Sequence, residues 1–387
     1  MDTDMQHGIK QGVNLTMDNT KIAKENADLQ KHIEDGVEKI VSDALKATLK
    51  DPRQSAFFVK FAAASKKASK KREELEKNGE HVPAFLIASI TSRCNLHCAG
   101  CYARGIHSAS DETPVDQLTG DEWASVFSQA QELGVSFIML VGGEPMIRRD
   151  VIEAAANTPD ILFPIFTNGT FFNERYTKLF DRCRNLMPVL SIEGGCAATD
   201  ERRGAGMYDR LINLMDDFKA RSQIYGASIT VTTENYLEVT SDEFLDSLIS
   251  RGCRMILYVE FVPVDEQDKV LAPGEKERAY MAKRADEIRS MQQGAIVLSF
   301  PGDELAMGGC MAAGREFFHI NSHGGAEPCP FSPYSDINVK TMPLREALRS
   351  PLFTAIRDEG LLLDDHRGGC VLYEKRDQVQ AILARNL

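Results

Sequence analysis

The stretch FLIASITSRCNLHCAGCY, residues 85–102, decides the fold. Phe85–Ile90 is a short apolar run of strand length. Cys94, Cys98 and Cys101 follow it in a loop at the strand's C-terminal end. Outward from here the same texture repeats. Strands are predicted at Leu162–Phe166, Val189–Ile192, Ser228–Thr232, Phe137–Val141 and Met255–Val262, with helices such as Asp121–Leu133, Asn173–Arg184, Tyr208–Ser222 and Ser241–Arg251 between them. Strands alternating with helices of this length predict βαβ units and a parallel sheet. Six such units with polar strand ends fit an α/β fold, a partial (β/α)6 TIM-like barrel whose chemistry gathers at the C-terminal strand ends.

The flanks differ. Residues 1–83 are expected to form a helical N-terminal region, 84–300 the partial barrel, and 301–387 a small auxiliary domain with its own cysteines. In the first of these, Leu29, Ile33, Val37, Ile40, Val41, Leu45 and Leu49 form one apolar stripe. A second helix follows Pro52, with Phe57, Phe58, Phe61 and Ala62 on one face, and Asn78-Gly79 ends it. Between Gln54 and Arg72 lie six basic residues and no acidic one. Two readings stand: a helical pair packed on the barrel with solvated lysines, or a basic amphipathic helix touching an anionic membrane surface or substrate.

Of the 387 residues, 43% are hydrophobic and 26% charged, which excludes a disordered or collagen-like chain. No apolar stretch approaches the roughly 18 residues of a membrane span. The opening residues lack a basic-then-apolar signal, so a cytoplasmic protein is expected, membrane-peripheral if the basic helix binds lipid. A net charge of −12 argues against nucleic-acid binding, which relies on basic surface. Nine cysteines are too sparse for a disulfide scaffold and suit metal ligands.

The spacing of Cys94, Cys98 and Cys101 lets three thiolates converge from one loop. They could hold three irons of a [4Fe–4S] cube and leave the fourth open, or, with a further ligand such as His97, a zinc ion. The second strand ends in Val141-Gly142-Gly143-Glu144-Pro145. Its glycines allow backbone to approach a ligand, and Glu144 offers an acceptor for an ammonium group; a glycine turn with a surface carboxylate is the alternative.

In this order and spacing, the CxxxCxxC loop and the GGE-type motif resemble the radical S-adenosylmethionine (SAM) superfamily over about residues 84–262. Gly100 departs from the pattern: many members carry an aromatic residue there, and here Tyr102 comes after the third cysteine. The resemblance implies a [4Fe–4S] cluster on Cys94, Cys98 and Cys101 whose open iron binds SAM. It implies cofactor contacts from Tyr102, Gly142, Gly143, Glu144 and Pro145, from Asn168 in Thr167-Asn168-Gly169-Thr170, and from Ser191 and Glu193 in Ser191-Ile192-Glu193-Gly194-Gly195. Arg203, in Arg202-Arg203-Gly204, would take the methionine carboxylate, and Thr232 to Asn235 are further candidates. Any of these could instead be a solvated strand-end polar group.

Near the C-terminus, Gly308-Gly309-Cys310 precedes a hairpin, with a strand at Glu316–Ile320, a Gly324-Gly325 turn, and Pro328-Cys329-Pro330; Gly368-Gly369-Cys370 comes last. This is similar to the SPASM and twitch extensions of radical SAM enzymes, and implies one auxiliary [4Fe–4S] cluster on Cys310, Cys329 and Cys370. Its fourth iron would be open or ligated from outside, with Cys253 and His366 as possible donors; a zinc site or free thiols are the alternatives. Cys183 and Cys196 are expected as small core residues.

The function implied is reductive cleavage of SAM and removal of a substrate hydrogen, with the auxiliary cluster assisting oxidation, coupling or substrate binding. An electron donor such as flavodoxin or ferredoxin is implied, and a peptide, lipid-like, tetrapyrrole or other small substrate. Tyr258 and Glu260 share one face of the sixth strand and could point into the barrel mouth as catalytic groups, or form a buried or solvent-facing pair. The alternative from another class is a zinc-stabilised binding or regulatory protein using its cysteines structurally.

Overall fold

The computed structural model describes residues 52–291, 294–304, 308–363 and 370–386. The apolar stripe of residues 29–49, and His366, lie outside them.

Seven parallel strands follow one another in space as they do in sequence: β1 (Phe85–Ser89), β2 (Phe137–Val141), β3 (Phe163–Thr167), β4 (Leu186–Ser191), β5 (Tyr225–Val231), β6 (Cys253–Glu260) and β7 (Ile296–Phe300). The first six fall where the apolar runs predict, within a few residues. The seventh, IVLSF, extends the six-stranded expectation. At the other edge β8 (His319–Ile320) pairs parallel with β1, and β9 (Gly325–Glu327) and β10 (Ile337–Asn338) continue the sheet antiparallel. The C-terminal region, expected as a domain of its own, thus shares the barrel's sheet. It also shares its core: Phe317, Phe318 and Phe353 belong to the same buried cluster as Leu86, Trp123 and Phe163.

Register fixes the two faces. Leu86 and Ala88 of β1, and Ile138 and Leu140 of β2, are buried in the cluster that holds helix residues Trp123, Phe127 and Val151. Alternation therefore turns Ile87, Ser89, Met139 and Val141 to the inner face. Carried across the sheet by its register, that face holds Pro164 and Phe166, then Met187, Val189 and Ser191, then Gly226, Ser228 and Thr230, then Met255, Leu257 and Val259. The sheet stays open, yet its edges are drawn together: the Phe317 ring stacks on Phe85 at 5.2 Å and meets Phe300 edge-on at 6.2 Å.

The helix Pro52–Lys77 closes the narrow end. Phe58 and Phe61 are buried against Leu162, Met187, Val189 and Ile224, with Phe137, Phe166 and Met255 packed alongside. These are inner-face residues, or residues entering a strand, so the helix lies under the barrel at the N-terminal strand ends. Gln54 Nε2 donates to the Ser222 carbonyl at 2.7 Å, and Arg72 donates to the Gly134 carbonyl. The phenylalanines read as the apolar face of a possible membrane-surface helix are therefore packed within the chain, while Lys66, Lys67, Lys70 and Lys71 are exposed.

Candidate functional site

The cysteine loop is clamped by backbone from three sides. From the end of β2, Gly143 N donates to the Thr91 carbonyl and Glu144 N to the Arg93 carbonyl, both at 2.8 Å. Cys94 N donates to the Ser110 carbonyl at 2.8 Å, while Arg104 donates to the carbonyls of Leu96 and Cys94 and pairs with Asp111. From beyond β4, the Arg202 carbonyl accepts from Ala99 N at 2.8 Å. A Cβ on Gly142 would stand 2.2 Å from the Thr91 oxygen, and one on Gly143 2.1 Å from the Arg93 oxygen. These glycines were expected to let a ligand approach; what they admit is the backbone of the cysteine loop itself.

Glu144 is also committed to the protein. Its carboxylate accepts from Thr167 Oγ1 at 2.7 Å, Asn168 N at 2.8 Å and Met146 N at 3.0 Å, and burial raises its pKa to about 6 against those bonds. Pro145, beside it, is buried as the first residue of a short 3-10 turn. Asn168 Nδ2 donates to Asn95 Oδ1, tying the end of β3 to the cysteine loop. Both residues hold the loop's seat.

On the inner wall beyond β4, Glu193 is buried and accepts from Arg203 Nε at 2.8 Å and from Thr230 N at 2.9 Å. Arg203 NH1 lies 3.9 Å from Cys98 Sγ. Arg203, expected against a cofactor carboxylate, is instead a strut between Glu193 and the middle cysteine. Thr232 binds Asn235, whose amide donates to the carbonyls of Glu193 and Thr230, so this pair finishes β5. Ser191 is half-buried on the inner face. Tyr102 turns away from the expected cofactor contact: its ring meets Phe331, two residues after Cys329, at 4.3 Å, and burial raises its phenol pKa. Gly100, at φ +61°, leaves room for the Phe261 ring, whose nearest carbon would be 2.6 Å from an added Cβ.

Tyr258 and Glu260 face the helices, not the barrel mouth. The Tyr258 hydroxyl donates to the Val239 carbonyl at 2.8 Å, and Glu260 pairs with Arg278 of the helix Glu275–Ser290. The two residues do share a face, but its direction depends on the register of neighbouring strands, which one strand's alternation does not reveal.

The inner wall carries a polar chain that the sequence reading missed. His319 of β8 places Nε2 2.7 Å from Ser89 Oγ and Nδ1 2.7 Å from Glu327 Oε2, and Asn321 donates to the other Glu327 oxygen. A carboxylate there accepts from Nδ1–H; a neutral imidazole then accepts the Ser89 hydroxyl hydrogen at Nε2, and an imidazolium donates to the same oxygen. A hydroxyl so backed can take up or return a proton on the barrel side. The signal available was the hairpin strand ending in His319-Ile320; its pairing with β1 was not.

The thiols of Cys310, Cys329 and Cys370 come from three segments and are all buried. Cys329 and Cys370 are hydrogen-bonded, and Cys310 interacts with both. Burial drives the thiols of Cys310 and Cys329 well above their ordinary range, and raises those of Cys94 and Cys98, where Arg203 and Arg202 pull back on Cys98. Converging, desolvated sulfurs of this kind fit a cationic metal core, which ionises thiols outright. Among the described residues, no three His, Cys, Asp or Glu side chains are gathered tightly about a single metal ion; a polynuclear cluster takes its ligands at separate corners. Cys253, weighed as a further donor to this site, lies at the start of β6 in a different buried cluster from Cys310, Cys329 and Cys370, with its thiol on the Met255 carbonyl at 3.1 Å. Cys196 is exposed rather than in the core, and Cys183 is half-buried.

Comparison with known proteins was made against this geometry. Residues 88–248 match the model of the radical SAM superfamily. The chain is 26% identical over 332 residues to an AdoMet-dependent heme synthase of Methanosarcina barkeri, covering 79% of this chain and 92% of that protein. It is 28% identical over 262 residues to a PqqA peptide cyclase of Rhizobium meliloti, covering 64% and 67% respectively. Its fold is similar to that of SuiB of Streptococcus suis, solved bound to S-adenosylmethionine, with a TM-score of 0.61, 20% identity, and 75% and 72% of the two chains covered.

Proposed function

Residues 88–248 place the chain among radical SAM enzymes, and on that premise we propose that it splits SAM at a cluster on Cys94, Cys98 and Cys101 to remove hydrogen from an organic substrate bound at the barrel mouth. Bound there, the cluster supplies the one-electron reduction that cleaves the sulfonium and with it the means of breaking a substrate C–H bond. The observation that carries the reading is the three-sided clamp on the cysteine loop, which fixes three sulfurs at the C-terminal end of β1.

The chain's own residues position and enclose. Gly142 and Gly143 let the end of β2 bear on the loop. Arg203 holds Cys98 and Glu193 in fixed relation, a charge-assisted contact that suits an anionic sulfur. Ser191 and the upper inner wall remain as SAM contacts. Ser89, backed by His319 and Glu327, stands ready to exchange a proton with substrate.

Cys310, Cys329 and Cys370 are read as ligands of an auxiliary cluster next to that wall, linked to the first loop through Tyr102 and Phe331. A flavodoxin or ferredoxin is the electron donor of this reading. The match over 92% of the heme synthase, against 67% of the peptide cyclase, favours a tetrapyrrole over a peptide. A lipid-like substrate has lost its support, because Phe57, Phe58 and Phe61 are packed under the barrel.

The test is anaerobic reconstitution followed by SAM and dithionite, with 5′-deoxyadenosine as readout. A cluster that forms fully and never cleaves SAM overturns the reading. For the substrate, titration of coproporphyrin III and of haemin should give a saturable change in the porphyrin absorption band; no change with either removes the tetrapyrrole assignment.

A further inference from the structure

Three cysteines leave one corner of an auxiliary cube without a protein ligand, and the surroundings supply a candidate. Glu304 ends the short turn Gly302–Glu304 directly after β7 and is 1% exposed. Its carboxyl is hydrogen-bonded to the Cys310 thiol, and its Oε1 accepts from Met311 N at 3.1 Å. Backbone bonds tie both residues down: Gly309 N donates to the Glu304 carbonyl at 3.0 Å and Cys310 N to the Leu362 carbonyl at 2.9 Å. Gly309, at φ +118°, sits so close to Leu362 that an added Cβ would stand 2.4 Å from its oxygen. Glu304 is thus held beside the first of the three thiols by backbone on both sides.

Among the described residues, the other acidic, imidazole and thiol candidates are engaged elsewhere. Glu327, two residues before Cys329, has one oxygen on His319 and the other on Asn321. His319 is held between Glu327 and Ser89. Cys253 lies at the start of β6.

We infer that Glu304 is the fourth protein ligand of the auxiliary cluster, its carboxylate closing the corner that Cys310, Cys329 and Cys370 leave open. The inference rests on the reading of those cysteines as cluster ligands. It gives the auxiliary site a mixed donor set, three soft sulfurs and one hard oxygen, in contrast to the loop of Cys94, which keeps a corner for SAM. A less electron-rich donor in the place of a fourth thiolate raises a cluster's potential, as histidine does in Rieske centres, so this site should sit above its own all-cysteine form.

The test uses the full chain with Cys94, Cys98 and Cys101 replaced by alanine, so that only the auxiliary site binds iron. After anaerobic reconstitution this protein should hold about four irons; a protein that binds none overturns the cluster reading itself, and the inference with it. Given four irons, ferricyanide should leave the cluster with Glu304 intact, while Glu304→Gln should lose one iron in four and show the paramagnetic signal of a three-iron cluster. Glu304→Cys should restore resistance and lower the midpoint potential. Equal resistance, or equal loss, with and without the Glu304→Gln substitution overturns the inference while leaving the cluster standing. So does loss produced by His366→Gln in place of Glu304→Gln.

Discussion

The two cysteine sites are built in opposite ways. At Cys94, Cys98 and Cys101 the ligands come from eight consecutive residues, half-buried, and the precision lies in what grips the loop: Gly143, Glu144, Arg104 and the Arg202 carbonyl. At Cys310, Cys329 and Cys370 the thiols come from three separate segments, each buried in the common core. A loop that must admit a small cosubstrate keeps its sulfurs near the surface and takes its rigidity from neighbours. A site that exchanges only electrons can be sealed, and then folding itself assembles it.

The largest difference should appear on breaking each set in turn. Cys98→Ala should abolish 5′-deoxyadenosine formation and reduce iron from about eight to about four per chain, while Cys329→Ala should cost the other four irons and leave the cleavage of SAM detectable. Loss of all iron in either variant would mean that the sites do not assemble independently. Next in size, Arg203→Ala should lower SAM cleavage about 10–100-fold, the range for removing a group that orients a metal ligand, with Arg203→Lys intermediate and the iron of the C-terminal site unchanged.

Gly143→Ala forces a methyl group onto the Arg93 carbonyl. It should destabilise the fold by about 1–3 kcal/mol in urea unfolding, the range for overpacking, and loosen iron at the loop before iron at the buried site. The smallest effect belongs to the join between the two. Tyr102→Leu removes the ring contact with Phe331 and should cost about 0.5–1.5 kcal/mol; a coupling energy near zero in the double cycle with Phe331→Leu would show that the two sites are not mechanically joined there.

The contrast also explains what could be read from the chain unaided. The first site is local, so spacing alone displays it, and β1 to β6 are apolar runs bounded by loops. The second site was visible as cysteines beside glycines, but Glu304, although close to Cys310 in the chain, was not singled out, because its burial against that thiol shows only in the fold. The same holds for Ser89 with His319, which meet only because β8 pairs with β1. For Tyr258 and Glu260 both directions stayed open, because alternation gives a face but not its sense. Gly142, Gly143, Glu144 and Arg203 were expected as ligand contacts; that they also hold the cysteine loop was not legible, because it depends on distances of a few ångströms between separate strands. The strand IVLSF resembles its neighbours in composition, and was passed over because it falls after the sixth unit.

The wedge of Phe57, Phe58 and Phe61 under the strands has a consequence for handling the enzyme in air. With aromatic rings packed beneath the strands, iron held by the half-buried Cys94, Cys98 and Cys101 would be approached from the C-terminal strand ends, where substrate would also enter. A seated substrate would then shield that iron, and air should bleach the protein more slowly with substrate than without it.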